Sequence, residues 1–249
     1  RDLVRSRGLG DVYKRQGGDI HLGRANANKV LARFLFNLMK DHEISVSEFD
    51  GGNLRNAIPR AAHAIVGVHT SNKEKVRVAL NEYSAAVKAE FGDLEPTLEI
   101  DMESVDTPDF CIDSDTSRRL ILALYGAPHG VVSMSRDLEG LVETSTNLAA
   151  VKMKPDNKIL ITTSQRSSVE SRKWDIANQV EAVFALAGAE VTHGDGYPGW
   201  KPDMKSPIMA IARDAYKELY GVDPLITAIH AGLECGLFLT KYPLSLIHI

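Results

Sequence analysis

The chain has little cysteine, no excess of positive charge and no long apolar run. Its 249 residues include two cysteines, Cys111 and Cys235, which are too few for a disulfide framework. The formal net charge of -4 argues against nucleic acid or an anionic membrane as a partner. The sequence contains no stretch of about 18 apolar residues that could span a bilayer, and no apolar signal core is present. These absences predict a soluble, cytoplasmic protein with free thiols.

Several motifs of common enzyme classes are also missing. The sequence contains no glycine-rich phosphate loop after a strand, no CxxC or HExxH zinc motif, and no local Ser-His-Asp or Cys-His arrangement. Nucleotide binding and a complete local zinc site are therefore unsupported. Hydrophobic residues make up 44% of the chain and charged residues 25%, which is typical of a globular protein with a substantial core.

The two ends of the chain differ in character from the middle. Residues 1–16 are rich in arginine and have no hydrophobic period, and residues 244–249, "LSLIHI", follow a proline abruptly. Both strings resemble translated adapter sequence, although a natural basic tail is the alternative for the first. We therefore expect non-native tails at 1–16 and 244–249 that pack against nothing.

Helical and strand patterns alternate between these tails. Apolar spacing predicts a helix at about 26–39, and "SNKE" predicts a second helix capped by Ser71 and Glu74. Pro155, Asp156 and Asn157 mark a hairpin turn. The pattern predicts an α+β layer with helices on one face of a sheet. The other predicted strands lie at 44–49, 63–69, 97–103, 130–135, 141–153, 158–165 and 225–229 (buried), and the other helices at 116–124, 169–187 and 206–221.

The segment "IHAGLECGLF" (229–238) combines three potential metal ligands, His230, Glu234 and Cys235. Gly232 and Gly236 argue against the stable helix that would stack them, and structural zinc usually needs four ligands. A glycine-rich turn with Cys235 packed inside and a functional carboxylate loop are equally compatible with the residues alone.

Two further segments contain residues suited to binding a peptide. Asn56 in "NLRNAIPR" (53–60) can donate to or accept from a carbonyl group, and Arg166 at a strand end can grip a carboxylate with two parallel bonds. An ordinary turn and a solvated arginine are the plainer interpretations.

Five segments together resemble the dipeptidases of the carnosinase-like dinuclear zinc peptidase family. These segments are 17–35, 51–62, 140–148, 196–209 and 229–238, and they include "NANK", "RNAIPR", "YPGW" and "HAGLECG" in that order. The resemblance implies a fragment of a metal-dependent enzyme that hydrolyses Xaa-His and other dipeptides. It implies a lid and dimerisation domain at 17–194, a partial catalytic domain at 195–243, and a homodimer formed through the lid.

The resemblance also implies which parts of the family site are here. No counterpart of the metal-binding histidines and acidic residues or of the general base is found, so we expect no catalytic or metal-binding residue in this chain. The two zinc ions would belong to the parent enzyme. The implied substrate-binding residues are Asn56, Asn147, Arg166 and Glu234, with Arg166 facing the peptide carboxylate and Glu234 its amino group. Which of Asn56 and Asn147 contacts substrate stays open.

Two other classes of function are compatible with the same residues. One is a non-catalytic α+β dimerisation module, and the other is an aminoacylase or tripeptidase of the same superfamily. "HAGLECG" and "YPGW" favour the dipeptidase, because a pure dimerisation module needs neither segment.

Overall fold

The computed structural model describes residues 2–6, 17–194, 196–199, 205–226, 228, 230, 237 and 241. The chain divides into two compact units. The first unit comprises residues 1–130, 146–164 and 178–191, and the second comprises residues 131–145, 165–177 and 192–249. Four elements, three strands and one helix, have residues in both units, so the domain boundaries expected from the sequence stay predictions.

The described residues form strands and helices in an alternating order that agrees with the predicted α+β class. The prediction of that class is confirmed. The elements are β1 (Asp2–Ser6), α1 (Ala27–Asp41), β2 (Ile44–Gly51), β3 (Ala62–Val68), α2 (Lys73–Phe91), β4 (Asp101–Glu103), α3 (Ser114–Gly126), β5 (Gly130–Met134), β6 (Val142–Met153), β7 (Ile159–Ser167), α4 (Glu170–Leu186) and α5 (Pro207–Tyr220).

The strands form a seven-stranded sheet in the order β4-β1-β3-β2-β6-β5, with β7 also paired to β6. The central pair, β2 and β3, is antiparallel and runs from Ile44 opposite Val68 to Gly51 opposite Ala62, with a bulge between Val46 and Glu48. β2 meets β6 where Gly51 faces Val151. This register brings the loop that follows β2 next to the middle of β6.

The core of the first unit lies between one face of the sheet and the helices. Alternate residues of β3 are buried, as a half-covered strand requires. Asn26 caps α1 by accepting from the Lys29 N–H at 3.2 Å, and the apolar spacing of α1 then turns one face inward. The buried set includes Leu31, Phe34, Leu35, Val46, Phe49, Val66, Val76, Leu80, Ile121, Leu124, Leu148, Val151, Val180 and Phe184.

Two predictions about local structure are wrong. Ser71 does not cap a helix, because residues Thr70–Asn72 form a 3₁₀ turn and α2 begins at Lys73 without a side-chain cap. The His69 side chain instead accepts from the Ser71 N–H at 3.3 Å. The strand predicted at 97–103 is reduced to Asp101–Glu103, since residues 96–97 form a turn and residues 99–100 adopt no regular structure.

The expectation that the first tail packs against nothing is wrong for five residues. Asp2–Ser6 forms β1, which pairs antiparallel with β3 and β4. The physical reason is that the outer edge of β3 presents unpaired backbone groups, and these accept an extended segment of almost any sequence. The tail 244–249 lies outside the described residues.

The second unit contains most of β5, the start of β6, the end of β7, the first part of α4, and α5. Pro207 at the start of α5 and left-handed Gly221 at its end agree with the predicted start and stop. The buried strand predicted at 225–229 is wrong where the structure describes it. Leu225 is 92% exposed and Ile226 is 40% exposed, and neither lies in a strand, so these apolar side chains are not packed into a sheet.

Among the helices in the described residues, none is both long enough and apolar enough to cross a membrane.

Candidate functional site

The loop between β2 and β3 places Asn56 in solvent. The Ala57 N–H donates to the Leu54 carbonyl oxygen at 3.2 Å, which closes a turn around Asn56. Asn56 is exposed, whereas Ile58, two residues later, is buried at 2% exposure. The loop therefore presents one amide side chain outward while its following residues are anchored in the core.

Backbone contacts hold this loop against β6 and the start of α1. Gly52 has a φ of +73°, and a side chain there would overlap the Ala149 carbonyl oxygen. The loop can approach β6 this closely only because residue 52 is glycine. At its other end, the Ala27 N–H donates to the Pro59 carbonyl oxygen at 3.0 Å. The backbone on both sides of Asn56 is thus fixed by partners outside the loop.

Asn147 on β6 lies beneath the loop and not at the surface. It is only 6% exposed, and its side-chain Nδ2 donates to the Ala57 carbonyl oxygen at 2.8 Å. Its Oδ1 accepts from Asn26 Nδ2 at 3.4 Å. The structure therefore brings Asn147 to the residue next to Asn56, with both ends of its amide engaged inside the protein.

Asn26 and His129 extend this buried polar network. Asn26 Nδ2 also donates to the Leu148 carbonyl oxygen at 3.0 Å and lies 3.4 Å from His129 Nδ1. Burial, and then the charge of Lys29, lower the pKa of His129 to about 4. The imidazole is therefore neutral at neutral pH, so its Nδ1 can act as an acceptor.

Lys29 bonds to the C-terminal end of α3. Its Nζ donates to the carbonyl oxygens of Leu124 at 2.9 Å, Tyr125 at 2.5 Å and Ala127 at 2.7 Å, and burial lowers its pKa to about 8. The sequence reasoning missed both Lys29 and His129. The sequence did offer a sign of the role of Lys29. A cation in the first turn of a helix is unfavourable next to the helix dipole, so its presence there indicates another partner.

Arg166 lies in β7 and belongs to the second unit. Its Nη1 donates to the His230 carbonyl oxygen at 3.1 Å, which links it to the start of the "HAGLECG" segment. His230 Nε2 in turn lies 2.7 Å from Ser145 Oγ. Burial lowers the pKa of Arg166, and the described residues give its guanidinium no carboxylate partner. A desolvated cation without an ion pair is suited to binding an anion.

Glu170 organises another part of the second unit and was not predicted. Its carboxylate accepts from the Gly199 N–H at 2.6 Å, from Trp174 Nε1 at 3.0 Å and from Lys173 Nζ at 2.9 Å. Burial opposes ionisation, but these donors and the charge of Lys173 outweigh it and lower the pKa of Glu170. Gly199, in the "GYPG" part of residues 196–209, is therefore bound to the start of α4.

The other sequence-predicted ligands are only partly described. Glu234 and Cys235 lie outside the described residues, and His230 bonds to Ser145. In the part of the chain that the structure describes, no group of three or more His, Cys, Asp or Glu side chains could hold a metal ion. The described residues therefore do not fit a zinc centre.

Three comparisons agree with the resemblance found in the sequence. Residues 12–95 match the family model described as the peptidase dimerisation domain. The chain is 37% identical over 227 residues to cytosol non-specific dipeptidase from Escherichia coli (strain K12), covering 91% of this chain and 47% of that protein. The crystal structure of aminoacylhistidine dipeptidase from Vibrio alginolyticus matches with a TM-score of 0.88 and 39% identity, covering 97% of this chain and 49% of that chain.

The chain thus spans about half the length of the two dipeptidases that it matches. The similarity extends over nearly all of this chain and is present in both sequence and structure, so it reaches well beyond the dimerisation segment alone. These matches show that residues 12–95 carry the peptidase dimerisation domain of the M20 type, and that nearly all of the chain is similar to about half of two dipeptidases.

Proposed function

We propose that the complete protein to which this chain belongs is a metal-dependent dipeptidase that hydrolyses Xaa-His and other dipeptides. The names of the two relatives support this activity, and the "aminoacylhistidine" in one of those names supports the substrate class. In this proposal, the present chain supplies groups that bind the substrate, and the zinc ligands come from outside it.

The environment of Arg166 is the observation that supports this function best. Within the described residues, this half-buried guanidinium bonds to one backbone carbonyl and has no ion pair, which supports a role in binding a ligand. A planar pair of N–H donors matches a carboxylate better than a lysine would. We assign Arg166 to the C-terminal carboxylate of the dipeptide.

Asn56 is the second substrate-binding residue in the proposal. It is exposed on an anchored loop, and its amide can bond the substrate carbonyl or carboxylate. Exposure favours Asn56 over Asn147, which is 6% exposed and bonded to the loop backbone. Glu234, in the segment that begins at His230, is proposed to bind the free amino group.

The proposal extends to assembly and compartment. The match of residues 12–95 to a peptidase dimerisation domain supports a homodimer formed through this part of the chain. The name of the Escherichia coli relative places that protein in the cytosol, and we propose a cytoplasmic location for this chain. The family's two zinc ions would polarise the scissile carbonyl and supply the attacking water in the complete protein.

A chimeric enzyme tests the proposed function. Residues 17–243 would replace the matching stretch of the Escherichia coli dipeptidase, and the purified chimera would be assayed with alanyl-histidine, an N-acetyl amino acid and a tripeptide. The proposal expects the dipeptide to be cleaved fastest. A folded chimera that prefers the N-acetyl amino acid or the tripeptide would favour the aminoacylase or tripeptidase. A folded chimera that cleaves none of the three would indicate a module without a substrate-binding role.

A further inference from the structure

We infer that Asn147 is a positioning residue that fixes the loop presenting Asn56, and that it acts on the substrate only through this loop. The inference rests on the substrate role proposed for Asn56. It begins from a contact that motif spacing did not predict, the 2.8 Å hydrogen bond from Asn147 Nδ2 to the Ala57 carbonyl oxygen.

The orientation of the Asn147 amide is determined by its surroundings. Nδ2 faces an acceptor, the Ala57 carbonyl oxygen, and Oδ1 faces a donor, Asn26 Nδ2. Rotating the amide by half a turn would place two acceptors together on one side and two donors on the other. Asn26 is itself held, because its Nδ2 donates to the Leu148 carbonyl oxygen and its Oδ1 accepts from the Lys29 N–H.

Direct contact between Asn147 and the substrate does not fit this geometry. At 6% exposure, the side chain has almost no surface to offer, and both ends of its amide are engaged. To reach a ligand, Nδ2 would have to leave the Ala57 carbonyl oxygen. That movement would leave the partly buried Ala57 carbonyl without this partner and would release the loop that presents Asn56.

The contact falls where it can control Asn56. The Asn56 side chain is exposed and the turn from Leu54 to Ala57 is closed by a hydrogen bond of 3.2 Å, so the direction of the side chain follows the loop backbone. Asn147 holds the carbonyl of the next residue, and β6, which carries it, is buried in the core. The Asn56 side chain, on a loop held by Asn147, is therefore already oriented before the substrate binds.

Amide hydrogen exchange on the 249-residue chain tests the positioning role without any need for activity. In Asn147→Ala and Asn147→Ser, the Ala57 amide is expected to exchange at least about tenfold faster while the Val66 amide in β3 changes little. Leu148→Ala is the matched control, because Leu148 is fully buried on the same strand and its carbonyl is unaffected. The inference is overturned if Ala57 exchange is unchanged, or rises no more than in Leu148→Ala.

A double-mutant cycle in the active chimera separates the inference from the proposed function. Asn147→Ala should lower kcat/KM about tenfold with Asn56 present and by less than about twofold in the Asn56→Ala background. Equal losses in both backgrounds would mean that Asn147 only supports the fold, and would overturn the inference. If Asn56→Ala alone changes nothing, the substrate role of Asn56 is wrong, while hydrogen exchange at Ala57 still tests whether Asn147 holds the loop.

Discussion

Asn26 Nδ2 lies 3.4 Å from His129 Nδ1, so an amide donor faces a ring nitrogen that can accept only while the imidazole is neutral. The same amide donates to the Leu148 carbonyl oxygen at 3.0 Å, which fixes its direction. Protonation of His129 would place two donors face to face. Burial and the nearby charge of Lys29 both oppose that protonation and lower the pKa of His129 to about 4.

This relationship predicts a pH dependence of stability. Between the ordinary pKa of 6.5 and the folded value of about 4, the unfolded chain binds a proton that the folded chain does not. The contribution of neutral His129 to the free energy of unfolding is therefore complete above pH 6.5 and is lost as the pH falls from 6.5 to about 4. Urea unfolding should show a loss of about 2 kcal/mol from His129 between pH 7 and pH 5.

His129→Asn is the variant that isolates this contribution. It replaces the titrating ring by a neutral side chain, so its stability should fall less between pH 7 and pH 5 than that of the parent chain. Comparing the two proteins at each pH cancels the other titrating groups. Parallel pH profiles for the two proteins would show that His129 makes no such contribution.

Lys29 is expected to stabilise the junction of α1 and α3. Lys29→Met keeps most of the side-chain volume but leaves the carbonyl oxygens of Leu124, Tyr125 and Ala127 without their shared donor. We predict a loss of about 2–4 kcal/mol in the free energy of unfolding, measured in urea at pH 7. Lys75→Met, at an exposed position of α2, is the matched control and should cost less than about 0.5 kcal/mol.

Glu170 is expected to hold residues 196–199 against α4. In Glu170→Ala, the Gly199 amide loses its 2.6 Å acceptor and should exchange with solvent about tenfold faster. Ser171→Ala, at the neighbouring exposed position, should leave this exchange unchanged. If the Gly199 amide is equally protected in both variants, the carboxylate does not anchor this segment.

The isolated 249-residue chain is predicted to hydrolyse no dipeptide. Among the described residues, no cluster of three or more His, Cys, Asp or Glu side chains could hold a metal ion, so these residues offer added zinc no such site. The assay uses alanyl-histidine with added zinc and compares the chain with the Escherichia coli dipeptidase. Turnover by the isolated chain at a rate near that of the dipeptidase would show that a metal centre forms within this chain.

Much of the fold could be predicted from the spacing of apolar residues and from the residues that typically start or end helices and form turns. The helix after Asn26, the β6–β7 hairpin with Asn157 at a φ of 60°, and α5 between Pro207 and Gly221 all follow from local rules. β1 could not be predicted, because its pairing depends on the free edge of β3 and not on its own sequence. The short β4 shows the same effect of tertiary context on a local pattern.

The candidate site was predictable only in part. Asn56 and Arg166 stand in segments whose motifs resemble the family, so their positions could be identified from the sequence. The bonds of Asn147 to Ala57 and of Lys29 to Ala127 join residues about 90 or more positions apart. No spacing rule contains such contacts, because the first depends on how the β2–β3 loop lies against β6 and the second on how α3 packs against α1. The same limit applies to Glu170, whose bond to Gly199 joins α4 to a distant loop.

The role of Arg166 is the central claim, and one kinetic comparison tests it most directly. In the active chimera, Arg166→Ala is assayed on alanyl-histidine and on its C-terminal amide, with the exposed Arg172→Ala as the matched control. If Arg166 binds the carboxylate, kcat/KM should fall by about 2 kcal/mol or more on the free dipeptide and by much less on the amide. An equal loss on the two substrates would contradict the account, because it would show that Arg166 supports the fold and does not bind the peptide carboxylate.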